Sequence, residues 1–141
     1  MRKRDERGAS AVFVLLIAVA LMSCAGLVID GGYALAGSRR LTGQAQQAAR
    51  IASDALNEDS LRDGDGDVSV VRAKASAAAS AYLSQVGAPS PSISINGGEV
   101  TVVLTDAQPT AILSVVGVGS LPIRGEGTAV SIDADGIGAA P

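Results

Sequence analysis

From Gly8 to Ile29 the chain carries no charged side chain. Phe13, Val14, Leu15, Leu16, Ile17, Val19, Leu21, Leu27, Val28 and Ile29 supply its apolar bulk. Wound as an α-helix, these roughly 22 residues rise about 33 Å, enough for a hydrocarbon core of about 30 Å. The alternative, an apolar run in a soluble core, is about 8 to 15 residues long, and a run of this length beside a basic leader argues against it. The sequence therefore predicts one membrane-spanning helix at residues 9–29.

The flanks set its orientation. Arg2, Lys3, Arg4 and Arg7 outweigh Asp5 and Glu6, so residues 1–8 form a net-positive leader. By the positive-inside rule the leader is cytoplasmic and everything from Asp30 onward is extracytoplasmic. The expected location is the cell membrane, in a single pass, with the bilayer itself as the first partner.

About 110 residues remain outside, enough for one small domain. Aromatic residues make up 2% of the chain, and its one Phe lies in the span, so the exterior part must pack on Ala, Val, Leu and Ile. Seventeen glycines favour turns and close backbone approach over dense side-chain packing. Of the formal net charge of −3, the leader contributes +2, so the remainder carries −5. That balance, without a basic patch interleaved with aromatics, argues against nucleic acid as a partner. The single cysteine excludes an intramolecular disulfide.

Beyond Asp30 the helical pattern continues. Tyr33, Leu35, Ala36, Leu41, Ala45, Ala48, Ala49, Ala52, Ala55 and Leu56 recur at three- and four-residue steps between polar neighbours. The span and residues 30–57 thus read as one long helix. Gly26, Gly31, Gly32, Gly37 and Gly43 interrupt it with poor helix formers, which allows a bend near Asp30 to Gly32. Alternatively, Gly26, Asp30, Gly32 and Gly37 mark a seam where another helix packs closely.

Residues 58–68 read as an acidic, Gly-rich loop. Its Asp63, Asp65 and Asp67 resemble the start of a calcium loop, but Val68 and Lys74 stand where Gly and Glu are required, so a solvated turn is expected. Residues 69–141 read as a small α+β head. Ser69 is the expected N-cap of an Ala-rich helix from Val70 to Val86, with Val71, Ala75, Ala78, Ala79, Tyr82, Leu83 and Val86 on one face. A hairpin follows, Ser92 to Asn96 and Glu99 to Thr105, joined by Gly97 and Gly98. Pro109 is expected to open a short helix ending at Gly117, before a last strand from Leu121 to Ile132 and a disordered tail from Asp135 to Pro141. The sheet is expected to be mainly antiparallel, with about three strands.

The residues give no case for an enzyme or a cofactor. With no histidine, neither a Ser-His-Asp triad nor a His-ligated metal site can be built. Lys3 and Lys74 sit in no Ser-x-x-Lys pattern, and no phosphate loop or dinucleotide fingerprint occurs. Gly117, Gly119 and Gly125, Gly127 are isolated Gly-x-Gly pairs. Leu21-Met22-Ser23-Cys24 comes close to a lipoprotein signal, which makes Cys24 an alternative lipidation site; the alternative is a small residue buried in the span.

The run Gly26-Leu27-Val28-Ile29-Asp30-Gly31-Gly32-Tyr33-Ala34-Leu35-Ala36, followed by Arg39-Arg40-Leu41 and Gln47-Ala48-Ala49, resembles the N-terminal region of TadE/TadG-like proteins of tight adherence (Flp-type) pilus systems. The resemblance covers roughly Arg7 to Ala55. The helix ending in Tyr82-Leu83, the Val-rich strand and Pro109-Thr110-Ala111-Ile112-Leu113 look like small actinobacterial members. It implies a pilin-like architecture and a non-catalytic accessory role, as a minor pilin or assembly subunit of a Tad/Flp-type pilus or related secretion system. Other pilus subunits and an assembly platform would be its partners, in an oligomer or heteromeric complex that extends to a surface filament. Pilin-type members are cut by a prepilin peptidase, which here would act between Gly8 and Ala9. Those members carry Glu at the fifth position after the processing Gly, where this chain has Phe13, so the TadG-like branch is the closer likeness. The alternative function is a membrane- or lipid-anchored extracytoplasmic binding protein.

Overall fold

The computed structural model describes residues 6–62 and 68–131. The expected acidic turn around Asp63, Asp65 and Asp67 and the tail from Asp135 to Pro141 lie outside the described residues. The fold is α+β: helix α1 (Glu6–Arg62), helix α2 (Val68–Gln85), strands β1 (Ser92–Asn96) and β2 (Glu99–Pro109), a 3-10 helix (Leu113–Val116) and strand β3 (Ser120–Val130).

Helix α1 is the axis of the molecule. Its 57 residues amount to a rod of about 85 Å, and it stays helical through Gly31 and Gly32, where the sequence allowed unwinding. Each glycine costs roughly 1 kcal/mol in a helix. The packing that holds the helix across them begins at Gly26, before the pair, and continues through Leu41 to Leu56 after it. At the far end α1 extends to Arg62 instead of stopping at residue 57. The segment Asn57 to Arg62 contains neither Gly nor Pro, so nothing in it ends a helix before Gly64.

Helix α2 begins at Val68, which puts Ser69 inside its first turn instead of at the cap. It turns Ala75, Ala79 and Leu83 fully inward, with Val71, Ala78 and Tyr82 half-buried beside them, while Val86 is exposed beyond its end. This face packs on α1, where Ala45, Ala48, Ala49 and Ala52 are all buried. Alanines bury little area, but they let backbones approach; the larger contributions come from Leu41, Leu83, Val100, Val102 and Leu104. Each such side chain contributes roughly 1.5–3 kcal/mol when fully buried.

The three strands form one antiparallel sheet in the order β1-β2-β3. Asn96 pairs with Glu99 across the first hairpin, where Gly97 takes the left-handed conformation (φ 61°) that a two-residue turn requires. In β2 the alternation is clean, with Val100, Val102 and Leu104 buried on one face. Opposite them in β3 stand Ala129, Gly127 and Gly125. The other face carries Thr101, Thr105, Arg124, Glu126 and Thr128, with an exposed Arg124 to Glu126 ion pair at 2.9 Å.

Those β3 glycines set the distance between sheet and helix. A Cβ at Gly125 would overlap the backbone of Leu41 and Thr42, and one at Gly127 the backbone of Ala45 and Gln46. One step earlier, Ile123 Cδ1 lies 2.8 Å from the Cβ position of Gly37. Two strand residues advance about 6.7 Å and four helix residues about 6 Å, so β3 keeps pace with α1 and runs alongside it in the same direction.

Pro109 does not open a helix. It ends β2, paired with Ser120. Having no amide to donate, it fits a strand terminus, and the short helix is displaced to Leu113, where another group supplies the cap.

Candidate functional site

Helix α1 has two halves with different surroundings. From Ser10 to Ala25 every residue is exposed except Ser23, half-buried with its hydroxyl donating to the Val19 carbonyl at 2.9 Å. Phe13, Val14, Leu15, Leu16, Leu21 and Met22 are each more than 60% exposed, a load of apolar surface that water does not tolerate on a lone helix. By length and composition this helix can cross a membrane. Among the described residues Gly26 is the first buried one, and from there the head lies against the helix.

The junction between the halves is Asp30. Its side chain is 1% exposed, and its carboxylate accepts hydrogen bonds from the amides of Ala111 (2.8 Å to Oδ1), Ile112 (3.1 Å to Oδ2) and Leu113 (2.7 Å to Oδ2). These amides enter the 3-10 helix, so a residue some eighty positions earlier caps it. A carboxylate suits this place because it offers lone pairs to several donors at once and its charge meets the positive end of the peptide dipoles. The Leu113 amide, with those of Ala111 and Ile112, holds the carboxyl below its ordinary 3.8 although burial pushes it up. Both oxygens are thus engaged by backbone, and Asp30 acts as a latch that ties the β2–β3 connection to α1.

Around the latch the contact is close. The Cβ position of Gly26 lies 2.7 Å from Ile112 Cγ2, and that of Gly37 3.1 Å from Gln108 Oε1. At 100° per residue Gly26, Asp30, Gly37 and Leu41 share one face of α1. The structure therefore brings three of the expected packing residues, Gly26, Asp30 and Gly37, to the chain's own head. Gly32 is exposed on the opposite face, with nothing near its Cβ position. Gly8 is exposed, Ala9 lies in α1, and Cys24 is a free, exposed thiol on the apolar half.

Two parts of this arrangement escaped the sequence reading. Gly125 and Gly127 looked like an isolated pair, yet their spacing of two, in phase with Ile123, is the signal of one strand face stripped of side chains for a helix. The Asp30 partners left no signal, because three backbone amides have no side-chain signature. Comparison of the chain with protein-family models, with curated proteins and with solved structures finds no match.

Proposed function

We infer that the chain is a non-catalytic, pilin-like accessory subunit, a minor pilin or assembly factor of a Tad/Flp-type pilus or related secretion system. The carrying observation is a single helix whose first half is bare and apolar and whose second half is the spine of a small head. Such a rod holds a head at a fixed height above a bilayer and can later pack beside like rods. The residue likeness around Asp30 supports the same reading. On the face away from the head, Val28 (76% exposed), Gly32 and Leu35 (55% exposed) leave a strip free for a neighbouring helix.

In this reading the leader is cytoplasmic and the head extracytoplasmic. Gene deletion with electron microscopy of the cell surface should show lost or shortened pili, and in-cell crosslinking should capture pilus components. Unchanged piliation together with no pilus component captured would reject it. Intact mass with N-terminal sequencing of protein from native membranes adds a sharper arm. A start at Ala9 indicates prepilin-type processing, whereas a lipidated Cys24 replaces this reading with that of an anchored binding protein.

A further inference from the structure

The connection between β2 and β3 carries an apolar tip that the head does not use. Val115 is 86% exposed, Val116 59% and Val118 41%, and from Ala107 to Ile123 there is no charged residue. Its position along α1 is fixed from both sides. Asp30 bonds the amides at 111–113, and Ile112 reaches Gly26, four residues or about 6 Å toward the N-terminus. The strand that follows runs away from this level, with Ile123 at Gly37, Gly125 at Leu41 and Gly127 at Ala45. The tip is therefore the end of the head nearest the apolar half of α1, level with its last exposed turn, Leu27, Val28 and Ile29.

We propose that this tip, Val115, Val116 and Val118, is seated in the interfacial layer of the bilayer that α1 crosses, as a second and shallow membrane contact. The inference rests on α1 spanning the membrane. Continuity with the exposed apolar turn of α1 points to lipid as the occupant. So does the backbone of the connection, seven of whose amides are bonded within the protein, which lowers the cost of approaching an apolar phase. The Thr110 amide donates to the Gly119 carbonyl, Val115 to Ile112, Gly117 to Ser114 and Val118 to Leu113, while Asp30 takes the amides of Ala111, Ile112 and Leu113. The Ser114 hydroxyl donates to the Ala111 carbonyl, and that of Thr110 to the Val118 carbonyl. Two contacts on one rigid body, the span and the tip, set the tilt of the head as well as its height.

The test is site-directed spin labelling of the full chain, in a Cys24→Ser background, reconstituted at high lipid-to-protein ratio in vesicles of phosphatidylcholine and phosphatidylglycerol. Labels at V115C, at L27C in the span and at Q46C on the exposed side of the head are compared for collision with oxygen and with a water-soluble nickel chelate. The oxygen-to-nickel ratio at Val115 should exceed that at Gln46 several-fold and approach that at Leu27. A lipid-like ratio at Leu27 with a water-like ratio at Val115 would overturn the tip contact alone. A water-like ratio at Leu27 would instead remove the spanning premise. Shielding of Val115 from both reagents would overturn the proposal in favour of a protein partner, and loss of that shielding on further dilution in lipid would identify a second copy. As a second variant, Val115→Asp should keep the melting temperature in detergent while lowering the oxygen-to-nickel ratio of a label at Val118.

Discussion

Asp30 is where one side chain does the most. Replacing it by Ala leaves the amides of Ala111, Ile112 and Leu113 facing the wall of a helix with no acceptor, so the β2–β3 connection should loosen and the melting temperature fall by several degrees. Asn keeps one acceptor and loses the charge, and should fall in between. Because the folded carboxyl titrates below its ordinary 3.8, its contribution is complete above that value and is lost as pH falls through the lower folded value. Melting curves from pH 5 to pH 2 should therefore show an acid limb in the native chain that is shallower in Asp30→Asn. In the sequence Asp30 stands out as the residue that ends the apolar run and as a candidate packing position, but the amides it serves lie in a segment that sequence spacing cannot connect to it.

At the level of elements, the contact between β3 and α1 depends on absent side chains. Gly125→Ala or Gly127→Ala pushes a methyl into helix backbone, which cannot move as a side-chain end can; each should cost about 3 kcal/mol, the upper end for overpacking, measured by denaturant unfolding in micelles. Gly43→Ala has open space on an exposed helical face and should stabilise by roughly 1 kcal/mol. Leu104→Ala empties the centre of the sheet face and should cost about 2–5 kcal/mol. The elements themselves were largely legible. Periodicity in α1, Ala-spaced burial in α2 and the Asn-Gly hairpin all follow local chemistry, and the inward face of β2 was readable from alternation alone. The end of β2 was not, since Pro109 favours a helix start and a strand terminus equally until its partner Ser120 is known. Where β3 lies was also hidden, since nothing local decides which helix a glycine face will meet.

For the whole molecule, the described part of the chain divides by function of surface more than by sequence segment. The exposed apolar stretch from Ser10 to Ala25 makes no contribution to the head's packing. A chain beginning at Gly26 should therefore melt within a few degrees of the full chain while no longer needing detergent, as differential scanning fluorimetry and sedimentation would show. Overall class and the long apolar N-terminal helix were readable from charge pattern and length; the intimate fit of head to rod was not, because it is built from backbone contacts between residues far apart. That separation governs how the molecule comes into being. Helix α1 is synthesised first, yet its partners at 100–129 arrive last, and the latch closes on residues 111–113. Loop-closure entropy for such distant pairs must be met before any contact repays it. Helix α2 emerges in time to cover part of the alanine face of the nascent rod, whereas the strip from Gly37 through Leu41 to Ala45 that β3 covers stays open until that last strand has emerged.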